Sequence, residues 1–179
     1  VSTATDFLRS LASEGTTIGE RPGWPPIVRP AAEEGVVRVL HEATRNGWRV
    51  APMGSGGQIA ALRPEAAKEI DFCLSTADLR DVVAYEPGDG TLTAQAGCTL
   101  AELARRVLAG GHRLTPDLPD PEHCTLGGAI AGGRSGFDRE RYGPLRHHVL
   151  GLRVALADGT VVKSGGRLVK NVTGFDLHR

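Results

Sequence analysis

The stretch MGSGGQIA, residues 53 to 60, places three glycines and a serine directly after the apolar segment WRVAP at 48–52. An apolar run of that length is typical of a short strand, and glycine lets the chain beyond it turn sharply or approach a ligand. Successive main-chain N–H groups in such a turn can form a concave nest that holds a phosphate without a basic side chain. A tight connection from strand to helix would use the same residues, so the loop alone leaves both interpretations open.

The common phosphate-binding fingerprints do not fit this loop. The sequence has no GxxxxGK[ST] run, and after Gly54 and Gly56 the position that a dinucleotide fold fills with glycine is Ile59. The pattern therefore favours neither a P-loop NTPase nor an ordinary Rossmann domain.

Composition and charge limit the class of protein. The 179 residues include 24 glycines and are 40% hydrophobic, with 21 basic and 21 acidic side chains. This balance is typical of a globular protein, and zero net charge gives no overall field to attract nucleic acid or an anionic membrane. No apolar run approaches the roughly 20 residues of a transmembrane helix, and the first residues lack a signal-peptide pattern. We expect a cytoplasmic protein without nucleic-acid partners, in which any anion is bound locally.

The cysteines argue against a disulfide framework or a cysteine-built metal site. Cys73, Cys98 and Cys124 are odd in number, far apart and without a CxxC pair. We expect all three to be buried, and we predict no metal ligand set.

Periodicity predicts helices and strands in alternation. Residues 33–46 form a helical pattern that Gly47 would end in a left-handed conformation, and a short strand is expected at 48–52. The predicted apolar face of the helix consists of Val36, Val37, Leu40 and Ala43.

Two hairpins are predicted further along the chain. Strand patterns at 82–86 and 91–96 flank the turn PGDG, and those at 149–157 and 160–163 flank the turn Asp158-Gly159. Between the hairpins, Thr99 and Glu102 have the spacing of a capping box, which predicts a helix running to about Gly110. A Pro- and Gly-rich segment then extends from 116 to 144, longer than a simple connection, and long loops of that kind are typical of binding sites.

A second glycine cluster lies in that segment. In CTLGGAIAGGRSG, residues 124–136, Thr125 can cap a short helix whose first turn contains Gly127 and Gly128. A helix start without bulky side chains would be a second array of N–H donors. Two such arrays facing one cleft would suit a pyrophosphate.

Five motifs in order carry a family resemblance: PMGSGGQ at 52–58, DP at 120–121, TLGG at 125–128, RYG at 141–143 and LVKNVTGFDL at 168–177. Together they resemble the FAD-binding domain of the vanillyl-alcohol oxidase superfamily, and within it the FAD-binding subunit of bacterial glycolate oxidase. The resemblance covers the chain from about residue 25 to its end.

The resemblance implies an α+β, PCMH-type FAD-binding fold of two small α/β subdomains with FAD between them. The first would span about 25–85 and the second about 86–179, and the chain is expected to stop before the substrate-binding cap domain, which would be absent. Gly151 would start the strand over which the adenine end lies. The implied cofactor contacts are Gly54, Ser55, Gly56, Gly57, Gln58, Asp120, Thr125, Leu126, Gly127, Gly128, Gly136, Tyr142 and Gly143.

The resemblance also implies activity and partners. Gly57-Gln58 stands where some relatives carry a histidine that attaches flavin covalently, so dissociable FAD is expected. The intact protein would oxidise a 2-hydroxy acid such as glycolate, alongside partner flavoprotein and iron–sulfur subunits that could hold it peripherally at a membrane. The alternative is a non-catalytic FAD-binding, electron-transfer or assembly subunit. A more distant alternative is a reductase of the cell-wall precursor type, which takes electrons from NADPH.

No catalytic residue is assigned from the sequence. His147-His148 could supply a base or a metal pair, although adjacent strand residues point to opposite faces. A basic set near the second cluster could attract a carboxylate or simply be solvated: Arg134, Arg139 and Arg141. Lys170 and Asn171 belong to a motif that the family keeps near the flavin, where a structural role is an equal alternative.

Overall fold

The computed structural model describes residues 3–12, 15–57 and 68–166. Gln58 and the motif at 168–177, with Lys170 and Asn171, lie outside the described residues. The described residues form five α-helices: α1 Ala4–Ala12, α2 Glu33–Asn46, α3 Leu100–Ala109, α4 Leu126–Ala131 and α5 Arg139–Tyr142. The strands in the same ranges are β1 Thr17–Gly19, β2 Ile27–Arg29, β3 Val50–Met53, β4 Phe72–Ser75, β5 Val82–Glu86, β6 Thr91–Ala94, β7 Gly151–Ala155 and β8 Val161–Gly165. Short 3-10 helices occupy Pro87–Asp89 and Leu145–His148.

The chain divides after residue 79 into two compact units, and residues 155–160 belong with the first. The first unit is built on a four-stranded sheet with the order β1-β2-β4-β3. β4 runs parallel to both β2 and β3, whereas β1 is antiparallel to β2. The expected strand at 48–52 is therefore present at 50–53, where Met53 lies opposite Ser75.

β4 is buried on both faces, as a central strand with parallel neighbours should be. Phe72 and Leu74 join the larger core cluster with Leu8 and Leu11 of α1, and Cys73 joins a smaller cluster on the other face. Alternation of side chains along the strand separates the two clusters.

The helix predicted at 33–46 is confirmed with the same bounds. Gly47 has φ of 69° and donates its N–H to the carbonyls of Ala43 and Thr44, which confirms the left-handed cap. The buried face is centred on Val39, which is fully buried. Val37 and Leu40 are both half-buried, but only Leu40 packs against the larger core cluster. Val37 therefore lies at the edge of the apolar face.

The second unit contains the first predicted hairpin. β5 and β6 pair antiparallel, with a register irregularity between Val82 and Ala84. β6 ends at Ala94, two residues earlier than expected, because the chain turns there and the Cys98 N–H donates to the Gln95 carbonyl at 3.2 Å.

The capping box at the start of α3 is confirmed. The Thr99 hydroxyl accepts from the Glu102 N–H at 3.2 Å, and the Glu102 carboxylate accepts from the Thr99 N–H at 2.8 Å. The hydrogen bond from the Thr99 main chain, with a further one from its side chain, lowers the pKa of Glu102. The helix ends at Gly110, as predicted.

The second predicted hairpin is also present, with shorter strands. β7 and β8 form a two-stranded sheet, and the Leu156 N–H donates to the Thr160 carbonyl at 2.8 Å next to the turn. The turn packs on α2, where the Thr44 hydroxyl donates to the Ala157 carbonyl at 2.5 Å. Gly159 has φ of 85°, and a Cβ on it would lie 2.9 Å from the Val37 carbonyl oxygen, so only glycine fits this contact.

The cysteines are free and buried, as expected. Burial raises the pKa of the thiols of Cys73, Cys98 and Cys124. They act as small apolar side chains rather than nucleophiles.

Thr99→Ala should lower the free energy of unfolding by about 1 kcal/mol, because the first turn of α3 loses its hydroxyl acceptor. Urea unfolding at pH 7, followed by circular dichroism, measures the difference. Thr93→Ala, at an exposed position of β6, is the matched control and should change stability by less than about 0.5 kcal/mol.

The capping carboxylate also predicts a pH dependence. A carboxyl whose pKa is lower in the folded chain stabilises it above the unfolded-state pKa, and this contribution disappears as pH falls through the folded-state pKa. Glu102→Gln should thus be less stable than the parent chain at pH 7, with a difference that shrinks between about pH 5 and pH 3. A constant difference over this range would contradict the assignment.

Candidate functional site

The first glycine loop, residues 54–57, begins where β3 leaves the sheet, and two residues hold it there: Ser75 at the end of β4 and Thr76 directly after it. The hydroxyl of fully buried Ser75 donates to the Gly54 carbonyl at 2.9 Å and accepts from the Ala77 N–H at 3.2 Å. The Thr76 N–H donates to the Met53 carbonyl at 2.9 Å. The start of the loop is therefore fixed to the central strand. Sequence reasoning missed Ser75, whose only signal is a hydroxyl at the end of an apolar strand.

Gly56 is the position in this loop that requires glycine. It is buried, its φ is 91°, and a Cβ there would lie 2.7 Å from the Met53 Cε. Gly57 differs, because its φ is outside the left-handed region and a Cβ on it would meet nothing within 4 Å. The loop thus has one conformationally restricted glycine next to one that tolerates a side chain.

The main-chain donors of the loop face no acceptor from the rest of the main chain. In the parts of the chain that the structure describes, no main-chain carbonyl accepts a hydrogen bond from the N–H groups of Gly54, Gly56 or Gly57. Unpaired N–H groups on adjacent residues, one of them left-handed, are the features of an anion-binding nest.

A basic side chain also lies at the loop, contrary to the expectation of a nest without one. The Arg21 Nη1 is 3.7 Å from the position that a Cβ on Gly56 would occupy. The Arg21 guanidinium carbon lies 4.7 Å from the centre of the Trp24 ring. The first loop therefore combines main-chain donors with a nearby cation.

The second glycine cluster has the predicted local structure. Thr125 is the N-cap of α4, and its hydroxyl accepts from the Gly128 N–H at 3.2 Å. The other N–H groups at the start of α4 also have acceptors within the chain. The Leu126 N–H donates to the Cys98 carbonyl at 2.8 Å, and the Gly127 N–H donates to the Ala96 carbonyl at 2.9 Å. The expectation of a second open donor array is wrong for these three N–H groups, because the chain before α4 pairs with the segment before α3.

Close packing within the second unit explains several of its glycines. A Cβ on Gly127 would lie 2.8 Å from the Ala96 Cβ, and one on Gly151 would lie 2.7 Å from the Gly166 nitrogen. A Cβ on Gly136 would collide with the Asp117 main chain and carboxylate. These glycines let neighbouring segments approach each other.

Asp120 has an unusual backbone conformation for a residue with a side chain. Its φ is 56°, and its carbonyl accepts from the His123 and Cys124 N–H groups. Its carboxylate lies 2.8 Å from His123 Nδ1, and this hydrogen bond raises the pKa of the imidazole. Both side chains are exposed, so this pair lies at the surface, in the segment that precedes α4.

The two adjacent histidines lie in a 3-10 helix rather than at a strand edge. His148 Nε2 is 3.0 Å from the Tyr142 carbonyl, and its Nδ1 is 3.4 Å from the Thr115 hydroxyl. His147 Nδ1 is 2.9 Å from the Cβ position of Gly143, whose φ is 83°. Both ring nitrogens of His148 therefore have partners within the chain.

The three arginines near the second glycine cluster make different contacts. Arg134 donates to the Cys124 sulfur at 3.6 Å, whereas Arg141 stacks over the Tyr142 ring at 5.3 Å. Arg139 lines a small cavity, and two buried atoms of its lining residues, Asp117 Oδ1 and Ser135 Oγ, have no hydrogen-bond partner among the described residues. The cavity is lined in part by Thr115, Asp117, Arg134, Ser135, Arg139 and His148.

Comparison with known sequences gives several relatives. The chain is 36% identical over 152 residues to a mitochondrial D-2-hydroxyglutarate dehydrogenase of Rattus norvegicus, covering 84% of this chain and 28% of that protein. It is 32% identical over 150 residues to an uncharacterized FAD-linked oxidoreductase of Mycobacterium tuberculosis, covering 83% of this chain and 32% of that protein. It is 28% identical over 153 residues to the glycolate oxidase subunit GlcD of Bacillus subtilis, covering 86% of this chain and 32% of that protein. The chain thus spans about a third or less of these relatives.

The fold has matches among solved structures. A structure of alkyldihydroxyacetonephosphate synthase superposes with a TM-score of 0.70 at 23% identity, covering 86% of this chain and 30% of that one. This likeness supports the fold alone. In the described ranges, no helix has both the length and the apolar character needed to cross a bilayer.

The family profile described as an FAD binding domain matches residues 24–165. This match confirms the PCMH-type fold and the family predicted from the sequence motifs, with FAD as the cofactor. The chain therefore belongs to the FAD binding domain family of flavin-dependent oxidoreductases.

Proposed function

We propose that the chain holds FAD non-covalently as the flavin domain of an oxidoreductase that oxidises a 2-hydroxy acid such as glycolate. The observation that carries the proposal is the first loop, where the N–H groups of Gly54, Gly56 and Gly57 have no main-chain acceptor among the described residues and Gly56 is left-handed. Ligands of sheets with parallel strands bind beyond the carboxyl ends of those strands, which is where this loop lies. Two relatives, a D-2-hydroxyglutarate dehydrogenase and a glycolate oxidase subunit, support the substrate class.

The first loop fits a diphosphate better than the second does. Gly54, Ser55, Gly56 and Gly57 form the nest, and Gln58 would continue it. The second loop would contact the cofactor by packing rather than by main-chain hydrogen bonds, since the N–H groups of its first helical turn donate to acceptors within the chain. The cofactor contacts proposed from this loop are Asp120, Thr125, Leu126, Gly127, Gly128, Gly136, Tyr142 and Gly143.

Oxidation of a 2-hydroxy acid to a 2-oxo acid releases two electrons and two protons, and bound FAD supplies the acceptor for the electrons. The described residues supply binding and orientation: the first loop for the diphosphate and the sheet behind it for rigidity. Some relatives attach flavin covalently through a histidine in this loop. This chain has Gly57 and Gln58 there instead, which supports a dissociable cofactor.

A second candidate is a non-catalytic FAD-binding, electron-transfer or assembly subunit that works with partner flavoprotein and iron–sulfur chains. One observation favours it: both ring nitrogens of His148 are within hydrogen-bond distance of Tyr142 and Thr115. A histidine held in this way is poorly placed to act as a general base. In this case the substrate would be oxidised in a partner chain, at a redox cofactor of that chain that accepts the two electrons.

Spectroscopy of the purified chain tests both candidates. We expect oxidised-flavin absorbance that acid precipitation releases into solution, as dissociable FAD requires. Anaerobic glycolate, D-lactate or D-2-hydroxyglutarate should bleach this absorbance if the first candidate holds. Retained flavin that none of them bleaches would favour the second candidate, and bleaching by NADPH would instead point to a reductase.

Gly56→Ala should weaken FAD binding by at least about tenfold, because its left-handed backbone disfavours a Cβ and the nest must distort. Gly47→Ala is the matched control: it also forces a Cβ into left-handed backbone, but at the end of α2 and with nothing within 4 Å. Both variants should lose similar stability, and only Gly56→Ala should lose FAD affinity in a fluorescence titration. Equal losses of affinity would indicate a general effect of destabilisation.

Ser75→Ala should also weaken FAD binding, by several-fold, because the Gly54 carbonyl loses its buried donor and the loop is no longer fixed to β4. Leu74→Val is the control, since it shortens a buried side chain of the same strand that packs in the larger core cluster and not in the cluster that contains Met53. Isothermal titration calorimetry would show the loss in Ser75→Ala. Unchanged affinity would mean that the loop is held by other contacts.

A further inference from the structure

We propose that Arg21, held over the Trp24 ring, is the cationic partner of the diphosphate that the first loop binds. This inference rests on the proposed function, because it names the charge that complements the anion in that site. The sequence motifs of the family do not include Arg21, which precedes them in the chain.

The segment Arg21-Pro22-Gly23-Trp24 is a tight turn that places the two side chains together. The Trp24 N–H donates to the Arg21 carbonyl at 3.0 Å, and Gly23 has φ of 77°. Proline followed by left-handed glycine is the signature of a type II turn. The turn brings the Arg21 guanidinium carbon to 4.7 Å from the Trp24 ring centre, a cation–π distance.

Trp24 is a fixed support for the guanidinium. It is half-buried and packs against the smaller core cluster of the first unit, which consists of Ile27, Ala51, Met53 and Cys73. Met53 is the last residue of β3, and its methyl group is the atom nearest to the Cβ position of Gly56. The same packed group therefore supports both the loop and the arginine, so that less rotational freedom is lost when an anion binds.

Arg21 has no acidic ion-pair partner among the described residues. None of the ion pairs found in the described residues includes Arg21, whereas Arg49, at the other end of β3, pairs with Glu69 at 3.4 Å. The chain has no net charge, so a local cation would add an attraction for a diphosphate that the overall field does not supply. Within the described residues, N–H groups without main-chain acceptors and a guanidinium without an ion pair lie at one loop, and together they form a donor set suited to two phosphates.

Titrations of the 179-residue chain with FAD and with inorganic pyrophosphate test the inference. Arg21→Gln should weaken both ligands about tenfold and reduce the dependence of affinity on salt. Arg21→Lys should recover part of the affinity, since it keeps the charge and loses the planar fork. Arg49→Gln removes the same charge from an exposed ion pair at the far end of β3 and should stay within about twofold of the parent chain.

The outcomes separate this inference from the proposed function. If Arg21→Gln binds FAD and pyrophosphate as the parent chain does, the inference is overturned and the proposed function stands. If the parent chain binds pyrophosphate but not FAD, and Arg21→Gln loses the pyrophosphate, the anion site stands without the flavin function. If the parent chain binds neither ligand, both are overturned.

Discussion

The hydrogen bond from the Ser75 hydroxyl to the Gly54 carbonyl determines where the first loop can lie. Ser75 is fully buried on the central strand, so leaving its hydroxyl without a partner would cost about 1–3 kcal/mol. The pairing of β3 with β4 places Met53 opposite Ser75, and the chain must then turn within reach of that hydroxyl. The position of the glycine loop thus depends on the packing of the sheet core, and the loop presents its N–H groups from a rigid base.

Glycine has different physical roles in the two units. In the first loop, Gly56 takes a conformation that side chains disfavour, and the N–H groups of Gly54, Gly56 and Gly57 find no main-chain acceptor in the part of the chain that the structure describes. In the second unit, Gly127, Gly136 and Gly151 allow segments of the same chain to touch, and the nearby N–H groups are satisfied internally. A glycine-rich sequence is therefore evidence of close approach, and the hydrogen bonds decide whether the approaching group belongs to the chain or to a ligand.

This distinction explains how far the sequence could predict the structure. The α2 helix, both hairpins and the capping box of α3 follow from local rules of periodicity, turn chemistry and capping, and all are present. The partners of the α4 donors could not be predicted, because Ala96 and Cys98 reach them through a non-local pairing that leaves no periodic pattern. Ser75 and Arg21 were missed for the same reason, although the Pro-Gly pair after Arg21 does signal a turn.

The relatives show why the cofactor is better determined than the substrate. Proteins named as a D-2-hydroxyglutarate dehydrogenase and a glycolate oxidase subunit align with the same 150 or so residues, and a structure of an alkyldihydroxyacetonephosphate synthase shares the fold. A region common to proteins with such different names is constrained by what they share, and the family profile identifies this as FAD binding. In each, most of the protein lies outside the aligned region. Features that distinguish the substrates of these relatives are therefore expected in the longer remainder, whereas the aligned region is constrained by FAD binding and by its own packing.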